Sequence, residues 1–335
     1  MQKRSRFKPG RRRLLILHQG ALGDFIVTFP ILALLRNVFP VVDAVCRGSF
    51  GPAAVHLGII DDYRSLETAD FATIYTDSPS PGWANWLSSY ERILLFSFSE
   101  DLAQRLGMVT GRDVHRIPPW PREGQRVQVT ELLWDHLLAS DLLTVEEKAR
   151  LGEARSRLWR APRRCPDSRR VFLGPGAGSV SKRWPLASFL KLAELLARSD
   201  FEPGFLLGPL ERDIAAQLAA ACHAPFPVIQ PENVIDLADL LRTGGGYVGN
   251  DSAVGHLAAF LGLSTVIVFG PSNSDCWKPF GGRVGVVQAD VDCRPCGSEV
   301  SAGCDLRNCL LLISPRQVYA AFVDVVGRCK DTQDV

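Results

Sequence analysis

The sequence predicts an α/β protein built as two Rossmann-like domains facing a central cleft. Three observations carry that expectation. Apolar runs of strand length alternate with amphipathic stretches of helical length, which is the pattern of a parallel sheet covered by helices. The same opening unit of strand, glycine-rich turn and helix occurs twice, from residue 14 and again from residue 171. Between the copies lies a stretch rich in arginine and proline, with little to bury. At 335 residues the chain is long for one hydrophobic core and comfortable for two.

The first copy starts with the compact strand Leu14-Leu15-Ile16-Leu17, the turn Gly20-Ala21-Leu22-Gly23-Asp24 and a helix over residues 25–39, with Pro30 near its first turns. Residues 41–46, 73–75 and 93–98 read as further buried strands, with helical segments over 83–89 and 100–106 between them. Residues 129–139 and 145–159 read as amphipathic helices, Leu132, Leu133, Leu137 and Leu138 forming an apolar face on the first. They close an N-terminal domain placed at residues 1–160, followed by a linker at 161–169 around Pro162 and Pro166.

A C-terminal domain at residues 170–335 repeats the grammar. Residues 171–173 are a strand, Gly174-Pro175-Gly176-Ala177-Gly178-Ser179 is a glycine-rich loop, and residues 186–198 are a helix with Leu186, Phe189, Leu190, Ala193 and Leu196 on one side. Strands follow at 204–207, 247–249, 265–269 and 284–287, with helices at 212–221, 235–241, 252–261 and 315–326.

Composition sets outer limits on function. With 46% hydrophobic and 22% charged residues the chain is an ordinary globular sequence. Its 38 basic and 36 acidic residues leave a net charge of +2, which argues against nucleic acid as a partner. Residues 1–13 carry only basic charges, from Lys3 to Arg13, and read either as a solvated tail or as a peripheral contact with an anionic membrane. His18, Gln19 and Asp24 interrupt the apolar stretch that follows, so it does not read as an export signal. Runs 25–35 and 257–269 are too short or too broken to span a bilayer. The expected location is cytoplasmic, with peripheral membrane contact at most. Nine cysteines, an odd number, fit a reducing compartment. Cys293, Cys296, Cys304 and Cys309 cluster, and their spacing leaves a structural metal, free thiols and disulfides all open.

The polar run Gly249-Asn250-Asp251-Ser252-Ala253-Val254-Gly255-His256 sits where a buried strand turns into a small-residue helix. Asp251 and Ser252 are good N-cap residues. A helix start presents unpaired N–H groups and the positive end of a dipole, so the run reads as a phosphate site or, more simply, as a capped helix.

Four short blocks, in this order, resemble the heptosyltransferases of glycosyltransferase family 9. They are Gly20-Ala21-Leu22-Gly23-Asp24 with Thr28 and Pro30; Pro175-Gly176-Ala177 with Lys182-Arg183-Trp184-Pro185; Gly208-Pro209 with Glu211; and Gly249-Asn250-Asp251-Ser252 with His256-Leu257-Ala258 and Phe269-Gly270-Pro271. The resemblance implies a GT-B fold and inverting, metal-independent transfer of a heptose or related sugar from a nucleotide-diphosphate donor such as ADP-heptose. The implied acceptor is a lipopolysaccharide core or lipid-linked glycan, bound by the N-terminal lobe, and no cofactor is implied. Asp24 matches the family's general base, in a loop with Gly20, Ala21 and Gly23 on the acceptor side. Lys182 matches the cation that stabilises the departing diphosphate. Donor binding is implied for Gly178, Ser179, Glu211, Asp251, Ser252, Ala253, Gly255 and His256. One departure stands out, because relatives commonly carry Gly where this chain has Ala253. Residues 41–130 match no block, and Arg47, Trp83 and Trp86 read either as anionic-glycolipid contacts or as packing. A sugar-nucleotide epimerase of the same architecture and a non-catalytic sugar-nucleotide-binding protein are the alternative readings. Gly174-x-Gly-x-Gly lacks the spacing of a dinucleotide fingerprint.

Overall fold

The computed structural model describes residues 12–76, 78–160, 168–220, 226–296 and 298–331. They form two compact units. The first holds residues 12–21, Thr28–Trp120 and Glu131–Leu158; the second holds Leu22–Val27, Pro121–Thr130 and the described residues from Trp159 onward. Residues 161–167 of the expected linker lie outside the described residues; Ser168, just beyond them, bonds Thr243 O through its hydroxyl at 2.9 Å within the second unit.

In the first unit five strands pair in parallel: β1 Arg13–His18, β2 Val41–Cys46, β3 Asp62–Ser65, β4 Arg92–Phe96 and β5 Val114–Ile117, in the order β3-β2-β1-β4-β5. β1 is central, Leu15 lying between Asp43 and Ile93, so its side chains are buried on both faces and the strand is nearly all aliphatic. Leu15, Leu17, Val45, Ile93 and Leu95 pack against Phe71, Trp83, Leu87, Leu102 and Leu106. The helix Glu100–Thr110 shows local control of length: Ser99 accepts from Leu102 N at 3.1 Å to start it, and Gly111 ends it at φ 62°.

The single helix expected over 25–39 is two helices, Leu22–Val27 and Phe29–Leu35, broken at Thr28. Pro30 has no N–H to donate to residue 26 and its ring crowds that carbonyl, so an unbroken helix cannot pass through it. Residues 73–75 are one turn of 3-10 helix rather than a strand. It follows a short helix, Ala69–Ala72, that Thr68 caps by accepting from Phe71 N at 3.2 Å. A run of three β-formers cannot override a helical turn already nucleated. Arg12 and Arg13 are not part of a solvated tail. Arg12 pairs with Glu91 and Glu147, and Arg13 pairs with Asp43 at 2.8 Å. Trp83 is 4% exposed and stacks edge-on with Phe71 and Trp86, which settles it as core.

The second unit is a six-stranded parallel sheet: β6 Arg170–Gly174, β7 Glu202–Leu206, β8 Val228–Ile229, β9 Gly246–Asn250, β10 Ser264–Phe269 and β11 Val284–Gln288. Their order is β11-β10-β9-β6-β7-β8. The chain therefore runs outward from β6 through β7 to β8, returns to the other side of β6 as β9, and continues to β11. The order reverses between β6 and β9, and ligands of open α/β sheets bind outside the carboxyl ends of strands at such a switch point. Beneath it the core gathers Val171, Leu173, Phe205, Val248, Val266 and Val268 with Trp184, Phe189, Leu192, Leu196 and Phe322.

Candidate active site

Residues from three sequence blocks meet at the carboxyl end of the β6/β9 pair. Gly174 lies beside Gly249 in the register, and the ring of Tyr247 lies across both. A Cβ on Gly174 would sit 2.2 Å from the Tyr247 hydroxyl, and one on Gly249 would sit 2.3 Å from it. Two bare backbones thus make room for one buried aromatic, and its burial pushes the Tyr247 phenol above its ordinary range.

Asn250 ends β9 and staples the glycine loop to it. Its amide donates to Pro175 O at 2.8 Å and to Gly176 O at 3.3 Å, while its carbonyl accepts from Trp184 N at 2.9 Å. Trp184, 1% exposed, donates its indole N–H to Ile313 O at 3.1 Å. The segment between residues 176 and 184 is held at both ends, and Lys182 projects from the single 3-10 turn within it, Val180–Lys182. Lys182 Nζ donates to Asp251 Oδ2 at 2.8 Å. Asp251 immediately precedes Ser252 and the helix Ala253–Leu261, so a cation and a helix N-terminus share one corner.

The caps are not the expected ones. Ser252 occupies the N-cap position in extended backbone but makes no side-chain cap bond, and Asp251 is taken up by Lys182. With neither side chain turned back on the helix and Gly255 N already bonded to Ser252 O, the amides of Ala253 and Val254 are the ones left to an anionic ligand. His256, one turn in, is buried, which drives its pKa down to about 4; Asp251 opposes the shift and Lys182 adds to it. The imidazole is neutral at physiological pH and adds no charge of its own.

The remaining expected residues divide. Glu211 follows β7, is half-buried, and accepts from Gly208 N. Its carboxylate lies over bare Gly176, where a Cβ would come 2.3 Å from Glu211 Oε1. Gly178 and Ser179 are exposed, Ser179 being committed to its own turn by accepting from Ser181 N at 3.3 Å. Gly255 faces inward: a Cβ there would sit 2.5 Å from Ile267 Cδ1, so packing alone calls for a bare backbone at this position. Asp24 lies half-buried in the first turn of Leu22–Val27, a helix of the second unit that packs on Ala253–Leu261. The contact is close, a Cβ on Gly23 lying 3.7 Å from Ala253 Cβ. The extra methyl of Ala253 is therefore spent on the helix carrying Asp24. Gly20 and Ala21 belong to the first unit.

Sequence reasoning missed the stapling role of Asn250, the wedge of Tyr247 and the reach of Arg307. Among the described residues Cys293, Cys296, Cys304 and Cys309 form no disulfide, and no group of three or more His, Cys, Asp or Glu is arranged to hold a metal. Burial pushes the Cys309 and Cys296 thiols upward, with neighbouring thiols adding to it. The segment is tied down by backbone instead, Cys296 N donating to Pro271 O at 2.8 Å and Arg294 bonding Gly270 O and Ser272 O at 3.0 Å each.

Residues 90–304 match the sequence profile of glycosyltransferase family 9 (heptosyltransferase), which is more than half of the chain. The chain belongs to glycosyltransferase family 9. Lipopolysaccharide heptosyltransferase 1 of Pseudomonas aeruginosa is 32% identical over 127 residues, 38% of this chain and 35% of that protein. The chain thus spans about a third of the length of the curated relatives it matches. Among solved structures, a family 9 glycosyltransferase from Veillonella parvula superposes with a TM-score of 0.68 at 16% identity, covering 96% of this chain and 99% of that one. The ADP-heptose lps heptosyltransferase II of E. coli superposes with a TM-score of 0.66 at 16% identity, covering 94% and 99%. The family member therefore has the GT-B fold that its sequence blocks led us to expect.

Proposed function

We propose that this family 9 member is an inverting glycosyltransferase that moves a heptose or related sugar from a nucleotide-diphosphate donor, ADP-heptose by preference, to a lipopolysaccharide core acceptor. One observation carries the reading: Lys182 and the uncapped amides of Ala253–Leu261 converge at the switch point of the second unit's sheet. That corner suits a diphosphate without a metal ion, because the ammonium and the helix dipole supply the positive charge a departing ADP requires.

In this mechanism Asp24 accepts the proton of the acceptor hydroxyl as its oxygen bonds to the anomeric carbon from the face opposite the leaving group. The carbon–oxygen bond to the diphosphate breaks, and the charge released on the phosphate oxygens is taken up by Lys182 and the helix amides. Glu211 holds the nucleoside beside the glycine loop. The packing of Leu22–Val27 on Ala253–Leu261 supports the pairing of base and donor corner, since it fixes Asp24 relative to the helix that binds the leaving group. We place the reaction at the cytoplasmic face of the membrane that supplies the acceptor, with residues 1–11 as a peripheral basic contact.

The test is incubation with ADP-heptose and a truncated lipopolysaccharide, following glycan mass and ADP release together. Transfer requires both to rise, and only with acceptor present. Asp24→Ala is expected to abolish the mass gain while ADP affinity stays within a few-fold. Isomerised donor without acceptor, or binding without turnover, would replace this reading with the epimerase or the sensor.

A further inference from the structure

We propose that Arg307 is a positioning residue for Lys182, bridging the two carbonyls that bracket it. Nη2 of Arg307 donates to Val180 O at 3.2 Å and to Arg183 O at 2.5 Å. Those carbonyls stand on either side of Lys182 in the turn Val180–Lys182. The inference rests on the reading of Lys182 as the diphosphate ligand.

The turn needs such a clamp. One turn of 3-10 helix is unstable by itself, since few backbone bonds offset the residues it orders. Here Lys182 N bonds Ser179 O and Arg183 N bonds Val180 O, each at 3.1 Å. Ser179 secures the start of the turn by accepting from Ser181 N. At its far end Val180 O accepts locally from Arg183 N, Arg183 pairs with Asp213 at 2.7 Å, and the Arg307 guanidinium adds its bonds to Val180 O and Arg183 O from a residue more than a hundred positions away. Asn250 fixes the segment's outer ends at Gly176 and Trp184, and Arg307 acts on the stretch between those anchors. Rolling that turn would carry the Lys182 ammonium off the corner it shares with Asp251.

Arg307 adopts a left-handed backbone at φ 45°, which an L side chain disfavours. A residue chosen for the backbone alone would be glycine or asparagine at this place. The strain is tolerated at the position from which the side chain reaches the turn. The carrier is anchored beside it, Cys309 and Leu310 being buried in the core of the second unit.

Arg307→Gly tests this cleanly, because glycine accepts the left-handed backbone and only the clamp is lost. Two readouts on the full chain separate the proposal from the reading beneath it. Amide hydrogen exchange without ligand is expected to quicken by about tenfold at Lys182 and Arg183 in Arg307→Gly, the equivalent of one lost hydrogen bond, with β6 and β9 unchanged. Unaltered exchange at those two amides overturns the proposal. Calorimetric binding of ADP is expected to weaken by about tenfold in Arg307→Gly and by about tenfold to a hundredfold in Lys182→Ala. The double variant should bind no worse than Lys182→Ala alone, since Arg307 acts through Lys182. Losses that multiply in the double variant overturn the proposal in favour of a direct or general structural role. If Lys182→Ala binds ADP like the parent, the donor reading fails, and the exchange result still decides whether Arg307 holds the turn.

Discussion

Lys182 Nζ and Asp251 Oδ2 lie 2.8 Å apart, joining two loops 69 residues distant in the chain across the β6/β9 switch point. The partners are unequal, with side chains 37% and 8% exposed. Removing the ammonium therefore strands a buried carboxylate, whereas removing the carboxylate leaves a cation that water reaches. Lys182→Gln should lower unfolding stability by about 1–2 kcal/mol, and Asp251→Asn in the same chain should restore most of it. Urea titrations of the two single variants and the double variant check this, and an additive loss would contradict it.

Glycines of the site differ in what a methyl would strike. At Gly249 it meets the buried Tyr247 ring, 2.6 Å from Cζ, which has nowhere to go. Gly249→Ala should cost about 2–3 kcal/mol of stability. At Gly176 it meets the outer part of the Glu211 side chain, from Oε1 to Cγ, which can swing away. Gly176→Ala should be close to neutral in thermal melting yet weaken ADP binding by several-fold, as Glu211 leaves Gly208 N.

Because burial lowers the His256 pKa from 6.5 to about 4, the folded protein takes up this proton later than the unfolded chain on acidification. Above pH 6.5 both states are neutral and His256 contributes no pH dependence. Between 6.5 and about 4 the unfolded chain is favoured, and stability falls by on the order of 3 kcal/mol. His256→Asn should remove this component, seen as a flatter plot of urea midpoint against pH over that window.

Tyr90 donates to Asp43 Oδ2 at 2.6 Å, beside the Arg13 pair, in the core of the first unit. Burial raises the Asp43 pKa while its Tyr90 and Arg13 partners oppose the rise. Tyr90→Phe should destabilise by about 1–3 kcal/mol in urea unfolding at neutral pH and leave ADP binding unchanged.

Burial pushes the Cys46 thiol up to about 12, whereas Cys293 is exposed. Iodoacetamide at pH 8 should label Cys293 within the folded protein and reach Cys46 only after unfolding, as read by peptide mass.

Much of this architecture was legible in the sequence, for reasons that also explain what was not. β2 over Val41–Cys46 and the helix Leu186–Arg198 are long enough for their periodicity to declare them. β3 reads Asp-Tyr-Arg-Ser and β5 reads Val-His-Arg-Ile, short edge strands with half-buried polar side chains and no apolar run to betray them. The candidate site was visible as blocks but not as a geometry. That Asp251 would turn to Lys182 instead of capping its helix, or that Arg307 would reach Val180, depends on contacts that no local spacing encodes.

Leu22–Val27 belongs to the second compact unit although most of the chain on either side of it belongs to the first. During synthesis this helix leaves the ribosome early and must wait for residues 253–261 before it finds its partner. The Asp24 carboxylate is thus made early and takes up its folded surroundings only once residues 253–261 have emerged. A nascent chain interrupted after its first sheet would hold that helix without the one it packs on.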